Sequence, residues 1–313
     1  LLGVAVILDS FICFFRSIFS VIETMQCQAL LMVIEAFIKL GLVIAAIFLQ
    51  QSQSKVLIMG FVFLSSSLLN FLLNFYAFTR IHKIIRLEFD FAFWKEKICA
   101  GSSFMLLYIL NLVNFRVDTM LISRFLGDKA VGLFSSNYRL IEQFLIIPSV
   151  LSFVLLPVFS RLSRSFAKVQ QLLKILLPLL VISAGVAVVF CYGLGRLAIE
   201  AVYGREFLDG YRYFTVLSWF LFPFFIRSLF EKLLLGFKKE NVLCLIYFGG
   251  VSLNLFLSLA LNSKTGINGV ILSTLFSELA ITICAVLIYL RMRNIPLGDS
   301  EGLGPISCSI KLD

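Results

Sequence analysis

Long apolar segments, separated by short polar connections, repeat along the whole chain. Each approaches the roughly 17–25 residues that an α-helix needs to cross the hydrocarbon core of a bilayer. Their apolar residues run continuously instead of alternating over about ten residues, which excludes a membrane β-barrel. We predict nine spans, the first of them cut short at the start of the sequence: 1–15, 29–49, 56–78, 98–123, 131–158, 172–192, 213–236, 242–262 and 266–290.

The composition agrees with a membrane protein. Hydrophobic residues make up 60% of the chain and charged residues 14%, and the mean hydropathy is +1.00. Soluble domains carry roughly a quarter charged residues, and a soluble chain of this length cannot bury so much apolar surface. The sequence therefore predicts an all-α integral membrane protein.

Prolines interrupt three of the predicted spans. Pro148 and Pro157 lie in the fifth span, Pro178 in the sixth and Pro223 in the seventh. Proline removes a backbone donor and clashes with the preceding turn of a helix. We therefore predict a kink in the fifth span and expect bends in the sixth and seventh.

Lys and Arg are unequally distributed between alternate connections. One alternating set carries roughly twice as many as the other, and cytoplasmic loops are the ones that retain these residues. The richer set is therefore predicted to be cytoplasmic, which puts the C-terminus inside and Leu1 on the outer side. The net charge of +9 fits these loops and does not call for a nucleic-acid partner.

The basic connection 79–97 is the predicted boundary between two helical lobes. Residues 1–78 would form the second half of an N-terminal lobe, residues 98–290 a C-terminal lobe of six helices, and residues 291–313 a cytoplasmic tail. The connection itself interleaves basic residues with apolar and aromatic ones. That pattern fits a helix on the cytoplasmic membrane surface and equally a solvated loop.

Polar residues inside the fourth span are informative, because an ionisable group at mid-bilayer costs at least about 2.5–3.5 kcal/mol. Tyr108, Asn111, Asn114 and Asp118 recur every three or four residues, which gathers them on one helical face. Arg116 lies around the helix from that face. Such stripes either bond between packed helices or line a wet cavity.

Other spans carry charged or polar pairs at helical spacing. Arg139 and Glu142 of the fifth span can pair, and Arg139 is expected to approach Asp118 if the fourth and fifth helices face each other. Two acid–base pairs at i, i+4, Glu35 with Lys39 and Arg227 with Glu231, are interpreted either as self-neutralised structural pairs or as groups that line a cavity. The remaining intramembrane polar residues of interest are Asn70 with Asn74, Asn254 with Ser258, and Ser273, Ser277 and Glu278.

The sequence lacks the patterns of catalytic and metal sites. It has no GxxxxGK[ST] phosphate loop, and His82 is the only histidine. The seven cysteines lack the spacing of metal ligands. We therefore predict a protein that is not an enzyme and has no metal site and no organic cofactor.

Three motifs occur together in residues 114–162: an Asn and an Asp at a helix end, a Gly-Asp turn with Ala-Val-Gly, and prolines before a Ser-Arg exit. The stretch reads NFRVDTMLISRFLGDKAVGLFSSNYRLIEQFLIIPSVLSFVLLPVFSRL. Residues 202–214, VYGREFLDGYRYF, and the Gly-Ile-Asn-Gly-Val start at 266–270, followed by Glu278, add weaker matches. In these features the chain resembles the Wzx-type polysaccharide flippases of the multidrug/oligosaccharidyl-lipid/polysaccharide exporter superfamily.

The resemblance implies a fold of twelve helices in two six-helix lobes around a central cationic cavity, with three helices absent before Leu1. It implies a cargo of undecaprenyl-diphosphate-linked oligosaccharide, moved across the bacterial inner membrane for O-antigen, capsule or exopolysaccharide assembly. Membrane lipid, the polymerase and the chain-length regulator of the same pathway are the other candidate partners. Transport would proceed by alternating access.

Candidate site residues follow from the polar stripes and from this resemblance. The side chains expected to line the cavity and bind the cargo are Arg139, Arg116, Lys39, Asn111, Asn114, Asn70 and Asn74. The acids expected to bind a coupling proton or sodium ion are Asp118, Glu142 and Glu278. Exchange without any gradient remains an alternative.

Three other functions are compatible with parts of the sequence. A cation-coupled multidrug antiporter of the same superfamily would favour an acidic cavity, whereas this chain mixes both signs with Arg prominent. A lipid-precursor flippase of peptidoglycan synthesis would usually be longer. A membrane fragment or scaffold that transports nothing would not require the polar stripes to line a cavity.

Overall fold

The computed structural model describes residues 2–21, 25–48, 55–81, 90–163 and 165–293. Every regular element among them is helical, and 3₁₀ helices occur at Gln143–Leu145 and Arg205–Gly210. The α-helices of this part of the chain are α1 Leu2–Val21, α2 Met25–Phe48, α3 Lys55–Ile81, α4 Phe91–Leu126, α5 Asp128–Glu142, α6 Ile146–Leu162, α7 Phe166–Tyr203, α8 Tyr211–Ser218, α9 Leu221–Gly236, α10 Glu240–Thr265 and α11 Ile267–Arg293.

The helices confirm the predicted fold class. Within the described ranges, eight stretches are long and apolar enough to cross a membrane, or nine if a bent pair counts as one span. Large apolar side chains such as Val189, Leu245 and Phe256 remain exposed along these helices. A soluble protein rarely leaves continuous apolar faces in water, so this surface suits contact with lipid.

Both helix interruptions lie beside prolines, as predicted for the fifth and seventh spans. Between α5 and α6 the helix changes to the 3₁₀ turn Gln143–Leu145, just before Pro148. Between α8 and α9 the axis bends by 44°. Pro223 has no N–H to bond the carbonyl of Trp219, and that carbonyl instead accepts from the Phe222 amide at 3.3 Å. In contrast, α7 continues as one helix through Pro178.

The chain forms two compact units, Leu1–Asp90 and Phe91–Asp313. Residues 91–97 of the predicted inter-lobe connection are helical and continue into the fourth span as part of α4. The centre of that connection, 82–89, and the tail 294–313 lie outside the described residues. The assignment of the two units to the lobes of an exporter stays a prediction.

In the first unit, α1 and α2 both pack against α3. Phe15, Phe19, Leu31 and Phe78 form its core. The unit is small, and most of its apolar side chains lie at the surface.

The second unit has the larger core, built around α9 and the hairpin of α10 and α11. Close helix approaches require glycine here: the position of a Cβ on Gly236 would lie 3.0 Å from the backbone carbonyl carbon of Phe159. On α10, a Cβ at Gly250 would run into the side chain of Ile281. These contacts draw α6 onto α9 and α11 onto α10, and they position the polar side chains described next.

Candidate functional site

A group of buried charges lies in the second unit where α9 meets α11. Arg227 is almost fully buried, and its guanidinium bonds Glu278 through Nε and Glu231 through Nη1, the latter at 3.3 Å. It also lies over the rings of Phe224 and Tyr247, with its Cζ 4.6 and 5.1 Å from their centres. Burying a guanidinium is tolerated only when carboxylates and donors satisfy it in this way, so Arg227 is fixed in place.

Glu231 connects this group to a second cation. Its Oε1 accepts from Lys232 Nζ at 2.7 Å, and its Oε2 accepts from the Tyr247 hydroxyl at 2.6 Å and from Arg227. Glu278, in contrast, is fully buried and accepts from Arg227 and weakly from Asn114, whose Nδ2 lies 3.5 Å away. The two carboxylates therefore differ in their access to any ligand.

A cavity of about 360 Å³ opens beside these charges, between α4, α6 and α9. This volume lies in the range of small-molecule sites, roughly 300–1,000 Å³. Its polar lining consists of Arg227, Glu231, Lys232, Asn111, Ser149, Ser152 and Ser228. Charged and polar groups thus converge on a space inside an otherwise apolar bundle.

Several polar side chains of the cavity lining present hydrogen-bond acceptors. Ser149 and Ser152 each donate their hydroxyl proton to a carbonyl of their own helix, both at 2.7 Å, and Ser228 does the same at 2.8 Å. A hydroxyl with its proton engaged offers only lone pairs to a ligand. The Oδ1 of Asn111 is buried, and no residue that the structure describes bonds to it. A ligand that carries both hydroxyl donors and negative charge would complement this lining.

A second polar group surrounds Asp118 on α4. Its Oδ1 accepts from Asn254 at 3.1 Å and its Oδ2 from the Thr274 hydroxyl at 2.7 Å. Ser258 extends the network by donating to Asn254 at 3.1 Å and bonding Ser273. In the described part of the chain no Lys or Arg pairs with Asp118, so its buried carboxyl is held by neutral groups.

The Thr274 hydroxyl suits two protonation states of Asp118. Its oxygen lies 2.7 Å from the Asp118 carboxyl and 2.8 Å from the carbonyl of Val270, but it carries one proton. It can donate to an ionised Asp118, or accept from a protonated Asp118 while donating to Val270. In either state the hydroxyl keeps its hydrogen bond to Asp118, so the carboxyl can bind or release a proton without breaking the network.

The structure brings some of the predicted site residues together. Asn114 and Glu278 meet in the charged group, Asn111 lines the cavity, and Asp118 contacts the stripe of Asn254 and Ser258. Asn114 and Asp118 are one turn apart on α4, so this helix touches both polar groups.

Other predicted site residues lie apart from these groups. Arg116 and Arg139 are exposed at the protein surface, as is Tyr108, which the helical spacing had grouped with the buried stripe. The expected ion pairs of Arg139 with Glu142 and with Asp118 are absent from the residues that the structure describes. The oxygens of Asp118 accept instead from Asn254 and Thr274.

The predicted residues of the first unit form groups of their own. Glu35 bonds Arg16 and accepts from Lys39 at 2.5 Å, which agrees with the expected i, i+4 pair and adds a second cation. Asn70 and Asn74 are both buried, and the Asn74 amide donates to the backbone carbonyl of Asn70 at 2.8 Å. Their roles in binding stay predictions.

The candidate site residues predicted from the sequence did not include Arg227, Glu231, Lys232 or Thr274, although Arg227 and Glu231 were predicted to pair. Lys232 directly follows the Arg227–Glu231 pair, which its spacing had allowed to be interpreted as self-neutralised. Thr274 had a usable signal, since Thr274, Glu278 and Thr282 recur every four residues and share one face of α11.

Comparison with known proteins adds one match. Residues 1–163, slightly more than half of the chain, match the family described as polysaccharide biosynthesis protein. No curated protein and no solved structure gave a significant match. The matched part contains the first unit and α4 to α6, whereas Arg227, Lys232 and Glu278 lie beyond it.

Proposed function

The chain belongs to the polysaccharide biosynthesis protein family, and on that premise we propose that it is a flippase for a lipid-linked oligosaccharide. The cargo would be an undecaprenyl-diphosphate-linked glycan, crossing the bacterial inner membrane during assembly of a surface polysaccharide. The protein would transport this cargo without making or breaking covalent bonds, and its C-terminus would lie in the cytoplasm. The two compact units would move relative to each other to give alternating access.

The cavity lining is the observation that carries this proposal. Arg227 and Lys232 can neutralise a diphosphate, because charge-assisted bonds to phosphate are strong where water is excluded. The Ser149 and Ser152 oxygens and the free Asn111 carbonyl oxygen suit the hydroxyl donors of a sugar. A cavity of about 360 Å³ would hold the diphosphate end and the adjoining sugar, while the prenyl tail stays in lipid.

Asp118 is the best candidate for a coupling-ion site. It is buried, it lacks a cationic partner in the described part of the chain, and Thr274 accommodates both of its protonation states. The effect of proton or sodium binding at Asp118 would be transmitted to the cavity by Asn114. Asn114 lies one turn away and contacts Glu278, which bonds Arg227. Glu142 and Glu278 remain the other coupling candidates.

The test is a flipping assay on the full chain in sealed vesicles. A fluorescent undecaprenyl-diphosphate-linked glycan is loaded, and its appearance on the opposite leaflet is followed with a lectin that cannot cross the membrane. We expect the wild type to flip the lipid faster than empty vesicles, and Lys232→Gln to slow it at least about tenfold.

The matched control is Arg205→Gln. Arg205 also pairs with a glutamate, Glu200 at 2.7 Å, but it lies exposed outside the cavity, so its removal should leave the rate unchanged. Cargo that stays in the leaflet where it was loaded would refute the proposal. Efflux of cationic dyes without glycan movement would point instead to a drug antiporter.

A further inference from the structure

A single carboxylate, that of Glu231, pairs with both cations of the cavity lining, Arg227 and Lys232. Glu231 accepts from Lys232 through one oxygen, at 2.7 Å, and from Arg227 and Tyr247 through the other, at 3.3 and 2.6 Å. All three donors are therefore directed at a group of the protein itself. An anion that entered the cavity would find both positive charges already neutralised.

The two acids that contact Arg227 differ in their ability to leave it. Glu278 is fully buried and is not part of the cavity lining, and its second oxygen accepts weakly from Asn114 at 3.5 Å. Glu231 lines the cavity, and its side chain keeps 11% of its surface exposed. A phosphate could therefore displace Glu231 while Glu278 keeps Arg227 in position.

Carboxylate and phosphate compete for the same donors. Both accept charge-assisted hydrogen bonds from guanidinium and ammonium groups. Replacing one by the other within the cavity exchanges one set of charge-assisted bonds for another and exposes neither cation.

We propose that Glu231 is an internal competitor for the phosphate of the cargo. It pairs with Arg227 and Lys232 while the cavity is empty, yields them when the diphosphate binds, and returns to them as the diphosphate leaves. This rests on the proposed function and assigns Glu231 a positioning role in cargo release. Its effect is to weaken binding and to speed dissociation, which transport requires because a tightly held cargo leaves slowly.

The experiment measures binding of farnesyl diphosphate, a short prenyl diphosphate, to the purified full chain in detergent, with farnesol as the uncharged reference. Glu231→Gln should bind farnesyl diphosphate at least about tenfold more tightly than the wild type. Farnesol binding should not change. Glu200→Gln, which removes an acid from an ion pair outside the cavity, is the matched control and should bind like the wild type.

A second substitution shows whether the gain comes from the freed cations. Adding Lys232→Gln to Glu231→Gln should return the affinity to within a few-fold of the wild type. In vesicles, Glu231→Gln should lower both the cargo concentration at half-maximal flipping and the maximal rate. A merely structural loss would lower the maximal rate alone.

Tyr247→Phe provides an independent variant if Glu231→Gln does not fold. It removes the 2.6 Å bond that holds Glu231 on its cations and should tighten diphosphate binding by a few-fold. Unchanged or weaker binding in the folded variants, with a wild type that flips the glycan, overturns the competitor role and leaves the proposed function intact. A wild type that binds farnesyl diphosphate but flips no glycan overturns the function instead.

Discussion

Replacing Arg227 by methionine is expected to destabilise the second unit strongly. The substitution keeps an apolar side chain of similar length against Phe224 and Tyr247 but removes the cation that bonds both Glu231 and Glu278. Glu231 retains Lys232 and Tyr247, whereas Glu278 retains a weak bond from Asn114 at 3.5 Å. Breaking a buried pair from one side costs about 3–5 kcal/mol.

The measurement is unfolding of the purified protein in mixed micelles titrated with a denaturing detergent. Arg227→Met should lose about 3–5 kcal/mol of unfolding free energy, and adding Glu278→Gln should restore about 2 kcal/mol, because the orphaned charge is gone. Arg205→Met, which breaks the exposed pair with Glu200, should cost no more than about 1 kcal/mol. Equal losses for Arg227→Met and Arg205→Met, or a double variant no more stable than the single one, would show that Arg227 does not hold these acids.

Three further substitutions test other parts of the molecule. Asp118→Asn should preserve folding but make vesicle flipping insensitive to an imposed proton or sodium gradient; a gradient response equal to that of the wild type would exclude Asp118 from coupling. Gly250→Val should cost about 1–3 kcal/mol by overpacking against Ile281, whereas Gly249→Ala, which meets open space, should stabilise the protein by up to about 1 kcal/mol through its higher helix propensity. Arg139→Ala should reduce surface-polymer levels in cells while leaving membrane insertion intact, and wild-type polymer would remove Arg139 from the cargo path.

The helical architecture was predictable because the apolar runs carry most of the information. A span must satisfy its backbone internally, so continuous apolar segments of the right length become helices with little ambiguity. Pro148 and Pro223 also mark the two interruptions, since each lacks the donor that the preceding turn requires.

The site was predictable only in part, because a helix that is apolar on nearly all sides does not reveal which face is turned inward. Arg227 and Glu231, four residues apart, form the pair that the sequence indicated. The third member, Glu278, comes from α11, 51 positions along the chain. The rotation of α11 against α9 decides that contact, and only the packed bundle fixes it.

Asn114 and Asp118 are one helical turn apart, so α4 rigidly links two binding equilibria: cation binding at Asp118 and anion binding at the Arg227 group. If a cation bound at Asp118 shifts this helix and changes the affinity of the Arg227 group for an anion, the anion must change the affinity for the cation by the same factor. A gradient-dependent cargo affinity thus obliges the cargo to alter cation binding. Titrating either species in the presence of the other would measure one shared free energy.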